Sequence, residues 1–120
     1  MIVGIILANC SQLLPLIDEN TDLHGLSRDD YHYVLNESQA GGNLDFGPQL
    51  GNKTFFLIDD ILYSRNDAAI FTWGQSVKKI GVPNAEQAVL LYEQVLSVEL
   101  REPQIRALIA GYSKEKSPVA

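Results

Sequence analysis

Cys10 is the single cysteine of the chain, and with His24 or His32 as a base it would supply the parts of a thiol nucleophile. No cysteine-protease signature surrounds it, and free cysteine is among the most frequently buried residue types, so a core position is expected. His24, His32, Asp29 and Asp30 are the donor types of a metal site, but the histidines stand eight apart. Helical metal motifs bring their ligands together at i, i+3 or i+4. Asp59-Asp60 follows an apolar strand pattern, where adjacent carboxylates hold Mg²⁺ in enzymes of in-line phosphoryl displacement. Such centres also need further carboxylates and bases for the phosphate. The nearest bases are Lys53 and Arg65, and a turn with two solvated acids is the simpler account.

Other catalytic signals are missing. The chain has no P-loop, Rossmann fingerprint or G-x-S-x-G elbow. Gly41, Gly42, Gly47 and Gly51 lie in a stretch that lacks a following lysine and does not open a helix, so they form no phosphate cradle. The residues therefore point to no cofactor, no metal and no enzyme.

Charge is the more informative property. The chain of 120 residues has a net charge of −6, and the excess is unevenly placed. Residues 1–60 hold nine acids and two bases, whereas residues 61–120 hold six acids and seven bases. Nucleic acid or an anionic membrane would be repelled by the first half, and a basic protein would be steered towards it. Lys78, Lys79, Arg101, Arg106, Lys114 and Lys116 form no dense basic run. The candidate partner-binding residues are Asp18, Glu19, Asp22, Asp29, Asp30 and Glu37, with Asp45, Phe46, Asp59 and Asp60 beside them. Each acid taken singly reads as solvated surface, so the expectation rests on the cluster.

The elements that position these residues fit one globular domain over 1–112, with 113–120 as a flexible tail. At 46% apolar and 20% charged residues, the composition suits a core that needs no disulfide staple. Leu7-Ala8-Asn9-Cys10 resembles a lipobox, but Asn9 replaces the small residue and no base precedes the apolar run. Ile2 to Leu7 reads instead as a buried first strand. No stretch is long enough to span a bilayer, and the expected location is the cytoplasm.

Further on, Ser11 to Asn20 is ambiguous because Pro15 suits a helix only in its first turn. Ser27 with Asp30 signals a short helix, against the alternation of Tyr31, Tyr33 and Leu35. Residues 38–53 read as a long loop in which Phe46 is either an exposed anchor or a plug in the core. Thr54–Ile58, Ile61–Tyr63 and Ala69–Trp73 suggest an antiparallel β-meander over about 53–73, with Asp59-Asp60 and Arg65-Asn66-Asp67 as its turns. Two amphipathic helices follow, over about 85–100 and 103–112, the second opened by Pro103. The expected fold class is thus α+β.

In size, acidity and lack of a catalytic motif, the chain resembles the small acidic immunity proteins of bacterial toxin systems, including those of contact-dependent growth inhibition. No motif carries the resemblance, so it transfers no residue roles. It implies an inhibitor that neutralises a basic protein toxin, such as a nuclease, by covering its cationic cleft. A small metal-dependent enzyme and a structural or assembly subunit are the alternatives from other classes.

Overall fold

The computed structural model describes residues 17–114. The strand expected at Ile2–Leu7, the thiol of Cys10 and residues 115–120 of the expected tail lie outside them.

Short-range capping decides where the helices begin. The Ser27 side chain accepts the Asp30 N–H at 3.0 Å and opens helix α1 (Arg28–Glu37). Asp29 and Asp30 lie in its first turn, where unpaired N–H groups favour negative charge. Tyr31, Val34 and Leu35 form its buried face, spaced i, i+3 and i+4. Tyr33 lies on the opposite side and is 43% exposed. After α1 the chain is irregular except for a single helical turn, α2 (Phe46–Gln49). Buried Leu44 ties this loop to the core, and its N–H donates to the Glu37 oxygen at 2.8 Å.

Strands β1 (Phe55–Ile58) and β2 (Ile61–Ser64) pair antiparallel, with Phe55 opposite Ser64 and Leu57 opposite Leu62. Asp59 (φ 50°) and Asp60 (φ 66°) make the two-residue turn. Positive φ at both positions matches the right-handed twist of the flanking strands, and aspartate tolerates it better than most residues.

The expected third strand is a correction. Arg65–Ile80 form a 16-residue helix, α3, so the sheet among the described residues has two strands, not three. Arg65-Asn66-Asp67 are its first turn rather than a hairpin turn. Ser64 is the reason: its side chain accepts the Asp67 N–H at 3.1 Å, and Asp67 adds first-turn charge. The β-type residues Ile70, Phe71, Thr72 and Trp73 are then carried as helix. Thr72 satisfies its hydroxyl by bonding back to the Ala68 oxygen at 2.9 Å. The buried series Ala68, Phe71, Gly74 and Val77 continues past Trp73 with helical spacing.

The last two helices form where expected, but the first ends at Leu96, short of the expected 100, and the second runs on to Ser113, which the sequence placed in the tail. Asn84 caps α4 (Ala85–Leu96) through the Gln87 N–H at 2.8 Å, and Ser97 ends it in a left-handed conformation. Helix α5 (Glu102–Ser113) begins with Pro103 in its first turn. Helix α3 is the centre of the packing, with α5 along its length and the hairpin, α2 and α4 around it, while α1 rests on α4. Where α3 and α5 cross, Gly74 and Gly111 allow backbone to approach backbone: a Cβ on Gly111 would fall on the Phe71 oxygen. Trp73, Tyr31, Leu35, Leu91 and Leu108 are the largest fully buried side chains. Trp73 donates to the Ser38 hydroxyl at 2.9 Å and meets the Tyr92 ring edge-on at 4.9 Å. The result is an α+β body in which helices cover one face of a hairpin. No helix among the described residues is long and apolar enough to cross a membrane.

Candidate functional site

Polar contacts sort the expected acids into three groups. Asp18 closes a turn, its carboxylate accepting the Asn20 N–H at 2.8 Å and the Thr21 hydroxyl at 3.2 Å. Asp22 accepts the His24 N–H at 2.9 Å, and Glu19 is exposed between them. Arg28 joins this loop to the first turn of α1, because its guanidinium donates to the Ile17 oxygen at 3.2 Å. Asp18, Glu19 and Asp22 therefore sit on the segment fastened beside Asp29 and Asp30, and all five carboxylates are on exposed residues. Among the described residues, no lysine or arginine nitrogen lies within 4.0 Å of any of them.

Glu37, Asp45 and Phe46 form the second group, and they are built into the loop. Glu37 accepts the Asn43 N–H at 2.8 Å, and Asp45 accepts the Gly41 N–H at 2.9 Å. Phe46 is half-buried against the core and lines a cavity of about 110 Å³ with Asp45, Trp73 and Tyr92. Burial, and then the nearby Asp45 charge, push the Tyr92 phenol above its ordinary value. The third group is the hairpin turn. Asp59 is paired with Lys114 at 2.9 Å, and Asp60 is exposed beside it.

Beside the first group lies a feature that sequence reasoning missed. Asp30, Tyr33, Leu44, Ser76, Lys79 and Ile80 line an open groove of about 500 Å³ between α1 and α3. The signal for it was Tyr33, which stands two residues from both Tyr31 and Leu35 and so faces away from the buried side of a helix. The groove wall from α3 could not be read from a sequence taken as strand. Also missed were Phe55, Leu57 and Leu62, which are 58%, 69% and 64% exposed on one side of the hairpin. Their signal was a strand pattern with no polar alternation.

Among the described residues the histidines and acids weighed as a metal site do not converge, and Cys10 lies outside them. His24 is buried at 4% exposure, with Gln87 and Gln94 side-chain oxygens each 2.8 Å from a ring nitrogen. His32 is on the exposed side of α1. Among the described residues, no group of three or more His, Cys, Asp or Glu side chains converges on a common point where a metal would sit. Comparison with protein-family models, curated proteins and solved structures finds no match for the chain.

Proposed function

We propose that this chain is a binding protein of the immunity or inhibitor type, which neutralises a basic protein toxin such as a nuclease. The observation that carries this reading is the set of five exposed carboxylates, Asp18 to Asp30, none with a lysine or arginine nitrogen within 4.0 Å among the described residues, of which Asp30 lines a groove with an exposed aromatic wall. Carboxylates without intramolecular cations leave their field free to act on a partner, and opposite charge speeds the encounter. Tyrosine beside apolar Leu44 and Ile80 is the kind of anchor that slows release once water is excluded. A nuclease that binds phosphates carries the complementary cations, and a carboxylate cluster can occupy their place.

The test is a growth assay in which the chain is co-expressed with any basic, toxin-like reading frame found beside its gene. Rescue should accompany a copurifying complex whose association rate falls as salt is raised. The paired substitution Asp29→Lys, Asp30→Lys should weaken that complex about tenfold or more, equivalent to at least ~1.4 kcal/mol. Absence of both rescue and complex at low salt would exclude the reading. So would a complex indifferent to the charge reversal.

A further inference from the structure

The cavity beside Trp73 is walled differently from the groove. It measures about 110 Å³ and lies where the 38–47 loop, α3 and α4 meet. Three of its walls are aromatic: Phe46 from α2, Trp73 from α3 and Tyr92 from α4. The Trp73 and Tyr92 rings stand at 85° with their centroids 4.9 Å apart, so together they form a corner. The indole nitrogen of Trp73 donates to the Ser38 hydroxyl at 2.9 Å, which holds that ring in one orientation. Phe46 is half-buried, and exposed Asn66, in the first turn of α3, connects the cavity with the surface.

Among the described residues that line the cavity, Asp45 alone is charged. Its Oδ2 accepts the Gly41 N–H at 2.9 Å. Among the described residues, no lysine or arginine nitrogen lies within 4.0 Å of its carboxylate. Burial and then the Asp45 charge raise the Tyr92 phenol, so that charge is felt at the cavity wall.

Aromatic faces beside a single carboxylate select among cations. The face of a ring is electron-rich and attracts a cation within about 6 Å of its centroid, tryptophan most strongly. Hard metal ions need a shell of oxygen ligands, which ring faces cannot supply. A primary ammonium brings several N–H donors that each want an acceptor. A quaternary ammonium group has no N–H and spreads its charge over its methyl groups, so ring faces and one carboxylate satisfy it. Size agrees. At about 30 Å³ for each water-sized group, a cavity of about 110 Å³ holds about four non-hydrogen atoms, as many as a trimethylammonium head contains.

We infer that the cavity walled by Phe46, Trp73 and Tyr92 binds the head group of a small quaternary ammonium compound of the choline class, with Asp45 as its counter-ion. The remainder of such a molecule passes out beside Asn66. This cavity and the groove share Leu44 but no charged or aromatic residue, and the inference is independent of the immunity reading.

Trp73 is the single tryptophan of the chain, so its intrinsic fluorescence reports on this site alone. Choline chloride titrated into the full chain should change Trp73 emission saturably, at concentrations on the order of millimolar or below. Sodium chloride at equal ionic strength should leave the emission unchanged. The alcohol in which a quaternary carbon replaces the nitrogen of choline has the same shape without the charge, and it should bind at least about tenfold more weakly. Asp45→Asn keeps an acceptor for the Gly41 N–H and should weaken choline at least about tenfold. Glu86→Gln, in the exposed first turn of α4 and outside the lining, should leave choline binding as it was. Phe46→Leu, which removes one ring, should also weaken it and serves if Asp45→Asn fails to fold. An emission that does not saturate with choline overturns the inference and leaves the cavity a packing void. Equal binding of the neutral alcohol overturns it too, as does choline binding undiminished by loss of the Asp45 charge or of the Phe46 ring.

Discussion

Nε2 of His24 lies 2.8 Å from Oε1 of Gln94, and the Gln94 amide can point only one way. Its nitrogen donates to the Asp22 backbone oxygen at 3.1 Å, which has no proton to give, and reaches the Tyr31 hydroxyl. The amide oxygen therefore faces the ring and accepts, so His24 carries a proton on Nε2. At Nδ1, the Gln87 side-chain oxygen is 2.8 Å away and the Asp22 carboxylate 3.7 Å. One imidazole thus spans two turns of α4 and holds the 22–24 segment against it. Through Tyr31 the same network reaches α1. The histidine that sequence reasoning weighed as a base is a fastener for the acidic loop.

Removing Gln94 should leave several buried groups without partners. Gln94→Leu is expected to lower the unfolding free energy by about 2–3 kcal/mol, since orphaned donors and acceptors cost about 1–3 kcal/mol each when water cannot replace them. Urea unfolding checks the value. A loss below about 0.5 kcal/mol would mean that water enters the site and substitutes for the amide.

Ser64→Ala separates the observed helix from a third strand. As the N-cap of α3, Ser64 satisfies the Asp67 N–H, and its loss should cost about 1 kcal/mol. In a meander the same residue would end a strand, and the substitution would be close to neutral. Amide exchange over 65–70 should quicken in the variant, because the first turn of α3 opens more readily.

The α3–α5 crossing predicts a steep response to one methyl group. Gly111→Ala places a Cβ on the Phe71 oxygen, so α5 must shift away from α3. Overpacking of this kind costs about 1–3 kcal/mol, and more when backbone rather than a side chain must yield. Gly74→Ala, whose Cβ would lie 2.5 Å from the Leu108 oxygen, should behave alike. Thermal unfolding of both variants measures it. Little change in melting temperature would show that the two helices are further apart than described.

Stability should decline in alkali because of two phenols. Tyr92 is raised above 10.0 by burial and then by Asp45. Tyr63 is raised by burial, then by Asp59 and Asp67. Above about pH 10 the unfolded chain releases these protons while the folded chain retains them. The unfolded state then binds fewer protons, so stability is intact below pH 10 and falls as pH rises beyond it. Tyr92→Phe keeps the ring against Trp73 and should flatten part of that decline in urea titrations repeated from about pH 8 upwards. An unchanged slope would remove Tyr92 as a contributor.

Local signals in this sequence were legible because they act within about four residues. Ser27 with Asp30 specified α1, Asn84 and Pro103 opened the last two helices, and Asp59-Asp60 marked the hairpin turn. The uneven distribution of acids was also evident from composition alone. Tertiary structure decided what those signals left open. Ile70 to Trp73 favour strand when judged by residue type, yet α3 forms because Ser64 caps it and α5 supplies a surface for its apolar stripe. The acids were visible as a list, but only the Arg28 contact with Ile17 shows which of them share a neighbourhood. The groove beside them needs α1 and α3 to meet, and no periodicity within either segment encodes that meeting. Capping and turn preferences are short-range free energies written in adjacent residues. Burial and proximity depend on which distant surfaces find each other, and that is settled only when the whole chain packs.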